Sequence, residues 1–106
     1  MSVFLARGML KSTSATKFMG KFMLDKSEYL ISGSFTHNLP KFTSSEAMLI
    51  IEDKDALSGT RTVEGTIGCD NVLLKFGDTG NRIEAALDAP VCPGQSVTGA
   101  GMFSEA

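Results

Sequence analysis

The sequence predicts an all-β domain, a small antiparallel barrel of about six to eight strands, and three observations carry that expectation. Apolar residues alternate with polar or small ones over short runs, the period of a strand whose side chains point to opposite faces. A glycine recurs in mid-run, as in Ala6-x-Gly8-x-Leu10, Phe18-x-Gly20-x-Phe22, Ile31-x-Gly33-x-Phe35, Val63-x-Gly65-x-Ile67 and Val97-x-Gly99-x-Gly101-x-Phe103. A mid-strand glycine weakens a flat sheet, so its repetition implies sharply bent strands or backbones in close approach. The connections between runs are short and supplied with Gly, Asn, Asp, Ser and Pro, the residues of turns. Two alternatives stay open: a two-sheet β-sandwich, or an OB-like barrel if residues 45–57 form a helix.

Val3 to Leu10 reads as the first strand, apolar on both faces, with Phe4, Ala6, Gly8 and Leu10 opposite Val3, Leu5, Arg7 and Met9. A polar connection, Lys11 to Thr16, leads to the second strand, Lys17 to Leu24, which sets Phe18, Gly20, Phe22 and Leu24 against Lys17, Met19, Lys21 and Met23. Asp25–Ser27 is a turn, and Glu28 to His37 is a third strand with Tyr29, Ile31, Gly33 and Phe35 on one face. Asn38–Pro40 ends it, because proline has no amide hydrogen for a ladder and favours an extended residue before it.

Ser44 to Leu57 is ambiguous. Ser44 or Ser45 would cap a helix, but Met48 to Ile51 would then wrap its apolar side chains around much of the axis. As a strand, Ala47 to Ile51 is a buried run ended by the charged turn Glu52–Asp55, and this is the favoured reading. Strands follow at Arg61 to Gly68, Val72 to Phe76, Arg82 to Asp88 and Ser96 to Phe103, with tight turns at Asp70–Asn71 and Gly77–Asn81 and an irregular connection over Pro90–Gln95. The whole, residues 1–106, is one meander-rich antiparallel domain.

A hydrophobic fraction of 42% and a charged fraction of 21% are those of an ordinary globular protein, and no apolar run approaches the roughly 20 residues of a membrane-spanning helix. Arg7 and Gly8 interrupt the apolar residues of the N-terminal run that begins at Met1 and Ser2, which denies it the core of a secretory signal. The expected compartment is therefore the cytoplasm, with no membrane partner; Cys69 and Cys92 read as free thiols there, and a structural disulfide between them is the alternative that an oxidising compartment would allow. The net charge of −2 divides unevenly. Residues 1–50 hold Arg7, Lys11, Lys17, Lys21, Lys26 and Lys41 against Asp25, Glu28 and Glu46, a balance of +3, which leaves −5 for the remainder. The imbalance becomes a surface feature only if the two halves occupy different sides of the fold; interleaved strands would cancel it.

Chemistry is sparsely encoded. Asp78-Thr79-Gly80 resembles the signature tripeptide of aspartic proteases, which implies a buried carboxylate sharing a proton with its dyad partner. Gly77 before it and Asn81 after it depart from that pattern and read as a hairpin turn. Gly94-Gln-Ser-Val-Thr-Gly99 is one residue too long for a nucleophile elbow, the single His37 ends a strand, and one histidine with two distant cysteines makes no zinc site. No catalytic residues, metal or cofactor are expected, and an enzyme is disfavoured.

The expectation is a non-catalytic binding or assembly module that self-associates as a homo-oligomer. Leu5, Met9, Met19, Met23, Met48 and Ile50 stand opposite the core faces of three strands, and a small barrel cannot bury both faces. Two alternatives accompany it. A barrel holding a small apolar ligand would use inner-face room and the rings of Phe22, Tyr29 and Phe35. An OB-like surface for single-stranded nucleic acid would use Lys17, Lys21 and Lys41 beside those rings.

Overall fold

A computed structural model of the chain describes residues 3–24 and 26–105. Met1 and Ser2 of the N-terminal run and Asp25 of the Asp25–Ser27 turn lie outside the described residues. Eight strands alternate as the sequence requires: β1 (Phe4–Ser12), β2 (Lys17–Leu24), β3 (Ser27–Phe35), β4 (Thr43–Ile51), β5 (Gly59–Ile67), β6 (Asn71–Phe76), β7 (Arg82–Ala86) and β8 (Gln95–Glu105). They close into a barrel in the order β1-β2-β3-β8-β5-β6-β7-β4, with every neighbouring pair antiparallel. Two meanders, β1-β2-β3 and β5-β6-β7, are joined by β8 on one side and β4 on the other. Closure leaves no sheet edge exposed to pair with another chain.

The ambiguous segment is a strand followed by a single 3-10 turn at Lys54–Ala56, capped by the Asp53 carboxylate, which accepts from the Asp55 amide. β4 also starts four residues before the apolar run, at Thr43, and carries a bulge where β1 shifts register between Gly8 and Leu10. Extra residues at such a point bend the strand and increase its twist, which helps a short sheet to close.

The inward parity of each strand makes one continuous core. Phe18 and Phe35 stack with ring centres 4.8 Å apart toward one end, and Phe76 meets Phe103 edge to face at 4.9 Å toward the other. Leu39, Phe42 and Val91 from the connections are buried against this core. The inner glycines do not leave a void. A Cβ on Gly20 would meet the Phe22 ring at 2.8 Å, and one on Gly101 would meet Val63, Ile31 and Phe76. Gly8 and Gly65 serve the backbone instead, since a Cβ there would land on the carbonyl oxygens of Lys21 and Leu73 in the adjacent strands. These are corners where the sheet folds so tightly that only glycine allows the neighbouring backbone to approach.

One expectation is corrected here. Cys69 and Cys92 are not free thiols but form a disulfide across a sequence separation of 23, with Cα atoms 4.7 Å apart. It ties the β5–β6 turn to the connection before β8, two loops that strand order brings to the same end of the barrel. The halves of the chain, moreover, do not interleave. β4-β1-β2-β3 form one side of the wall and β8-β5-β6-β7 the other, so the charge imbalance of the sequence persists in space. Among the described residues no helix is long and apolar enough to cross a membrane.

Candidate functional site

β1 and β2 pair Met9 with Lys21, Lys11 with Met19 and Arg7 with Met23, while β4 sets Met48 beside Arg7. All of these belong to the outward parity, so the outer wall is a checkerboard of methionines and cations. The long aliphatic stems of lysine and arginine can lie along neighbouring methionines while their charged heads stay in water. Met23 is 47% exposed and Leu5 53%; Met9, Met19 and Met48 are half-buried. Lys21 also reaches Glu28 at 3.6 Å, a surface ion pair of little energetic weight.

The sheet continues this surface into β3 and β8. Leu30 faces outward beside Lys21, and Met102 pairs with Ser32 on one side and Thr60 on the other. Met102, at 55% exposure, is the most exposed large apolar side chain among the described residues. A shallow groove of about 650 Å³ runs past Lys17, Met19, Leu30 and Met102. Sequence reading passed over Met102, although its alternation with Gly101 and Phe103 already assigns it to the outer face.

The predicted site residues thus separate. Leu5, Met9, Met19 and Met23 share one outer surface with Lys17 and Lys21. Phe22, Tyr29 and Phe35, offered as ligand or interface residues, are buried in the core, where they share parity with Gly20, Ile31 and Gly33 and are withdrawn from any outer interface. Lys41 stands exposed in the β3–β4 connection, where it borders the β1–β2 loop that leads into Lys17 rather than the outer face of β2. With these rings inside, no aromatic platform accompanies the cations of the outer wall. Phe4 is the one exposed phenylalanine or tyrosine among the described residues, and it lies under the Lys54 ammonium, 5.0 Å from its centre.

No family model, curated protein or solved structure matches this chain. Asp78 is exposed in the β6–β7 turn, where Gly77 and Gly80 adopt positive φ and the Thr79 hydroxyl donates to the Phe76 carbonyl at 2.7 Å. That is the hairpin reading of Asp78-Thr79-Gly80, without the burial that the protease resemblance requires. Among the described residues no three His, Cys, Asp or Glu side chains converge as a metal site would need.

The roles of three polar residues escaped the sequence reading. Asn81 is 1% exposed, and its Oδ1 accepts from the amides of Glu52 and Asp53 at 2.8 and 2.9 Å while its Nδ2 donates to the Asp53 carbonyl at 2.8 Å. It clamps the β6–β7 turn to the end of β4. Arg82 beside it donates to Glu52 at 2.7 Å and to Glu84 at 3.1 Å, and these hydrogen bonds raise its pKa and keep the guanidinium charged. Arg61 shares the inward parity of Val63 at the start of β5, and its Nε is buried without a partner among the described residues.

Proposed function

We propose that the chain is a non-catalytic binding and assembly module that associates with further copies of itself through the outer wall of β1, β2, β3 and β8. One observation carries this reading: the barrel interior is already filled by side chains, yet Met9, Met19, Met23, Leu30 and Met102 gather on its outside. Five large apolar side chains gathered on one wall, spaced only by cations and small polar residues whose stems can lie along them, lower the free energy of the protein when that wall is covered. Methionine suits such a surface because its flexible, polarisable side chain adapts to the shape it meets. The same filled interior gives less support to a ligand held inside the barrel, and buried rings give less to nucleic-acid stacking.

We infer further that the protein works in an oxidising compartment, because a disulfide between two exposed cysteines persists there and is reduced in the cytoplasm. Light scattering tests the assembly. The expected wild-type mass is well above 11.3 kDa and should fall toward it when Met19→Ser and Met23→Ser are combined, with the circular dichroism spectrum unchanged. A wild-type mass of one chain at high protein concentration would overturn the proposal.

A further inference from the structure

The face spanning β2, β3, β8 and β5 bears two adjacent grooves of opposite chemistry. The first is the groove of about 650 Å³ beside Lys17, Met19 and Met102, which no carboxylate lines. The second, about 580 Å³, runs past Thr36, Thr62, Glu64, Asp78 and Thr98, and no lysine or arginine lines it. They share a rim made by Ser34 and Ala100, which face each other across β3 and β8. Lys17, Glu64 and Asp78 are all exposed, and none forms an ion pair among the described residues.

We propose that this face is self-complementary, and that two copies pair across it about a two-fold axis passing near the Ser34–Ala100 rim. This rests on the reading that the chain self-associates, and it specifies the geometry. In a two-fold contact, whatever a residue touches on the partner is touched in return by its own counterpart. An axis at the shared rim therefore lays the Lys17–Met19 groove of each copy on the Glu64–Asp78 groove of the other, and the attraction forms twice. The small side chains at the rim let the two walls come close where the axis passes. Met102 and Met19 are covered by the same contact, which joins the apolar and the charged features in one surface. A contact of the basic wall with the far side of the barrel would instead be head-to-tail and would continue into rings or fibres.

The test is a charge exchange read by light scattering and sedimentation. Lys17→Glu in one variant and Glu64→Lys with Asp78→Lys in another each place like charges opposite one another, and each weakens association on the order of a hundredfold. Mixing the two variants in equal amounts restores a species of twice 11.3 kDa, because one of the two symmetry-related contacts then keeps its original charges, the other has them reversed, and both are complementary. Unchanged thermal melting of the separate variants shows that they remain folded. Variants that associate as tightly as wild type would overturn this geometry while leaving self-association standing. A mixture whose mass keeps growing beyond two chains would overturn the two-fold axis in favour of a head-to-tail contact. A wild-type protein that never leaves 11.3 kDa would sink both proposals.

Discussion

Single residues divide here by what stands beside them, as the glycines show. An added methyl at Gly65 meets the Leu73 carbonyl oxygen, part of a backbone that cannot step aside without breaking the β5–β6 ladder. At Gly101 it meets only the side chains of Val63, Ile31 and Phe76, the nearest at 3.2 Å. Gly65→Ala should therefore cost at least about 2 kcal/mol in urea unfolding, and Gly101→Ala clearly less. Equal costs would show that the corners are not set by backbone approach. Asn81 is a second such residue. Asn81→Ala leaves two part-buried amides and a carbonyl without their partner and should cost about 1–2 kcal/mol, whereas Asp78→Ala in the same turn should change stability by less than about 0.5 kcal/mol. The glycine corners were visible in the sequence because the same figure recurs. Asn81 was not, because its partners lie 28 and 29 residues away and a turn asparagine looks the same whether or not it holds another loop.

Between elements, the bulge in β4 is held by Asp88, two residues beyond β7. Its carboxylate accepts from the Ser45 amide at 3.0 and 3.1 Å and from the Ser45 hydroxyl at 3.0 Å, and its own amide donates to the Thr43 carbonyl. Hydrogen bonds from the Ser45 amide and hydroxyl favour the ionised form and hold the Asp88 pKa below its usual value. A depressed folded pKa contributes stability above the ordinary carboxylate pKa, and that contribution is lost as pH falls through the folded value. Asp88→Asn should accordingly lower the melting temperature at neutral pH and flatten its decline between about pH 5 and pH 2. Parallel melting-temperature profiles for the two proteins would exclude this linkage. The disulfide acts at the same scale. Closing a loop of this length should contribute about 3 kcal/mol, so reduction should lower unfolding free energy by that amount. The β4 strand was legible up to its charged turn, but Leu49, Ile50 and Ile51 are all buried, and a run buried on both parities erases the alternation that separates strand from helix. The cysteine pair was illegible for a different reason: only the order of strands brings its two loops together.

For the molecule as a whole, alternation states which face of each strand is inward and says nothing of which strands are neighbours. The outer methionines and lysines of β1 and β2 could therefore be read as one surface, since a hairpin joins them, while the adjoining β8 and β5 residues could not. Strand order also decides how the barrel opens. β3 meets β8 and β7 meets β4 only through contacts distant in sequence, and these two seams join the half built from β1–β4 to the half built from β5–β8. Parting either seam exposes the core on both sides, because Phe35, Phe103, Leu49 and Ile83 pack behind it. Opening a seam should thus cost nearly as much as unfolding the chain, and the halves should not survive apart. Native-state amide exchange measures this directly: amides of the β3–β8 and β4–β7 ladders should exchange with the same free energy as those inside the β2–β3 and β5–β6 hairpins, all at the global unfolding value. Seam amides that exchange several kcal/mol more readily would mean that the wall opens like a clasp and that each half holds its own structure.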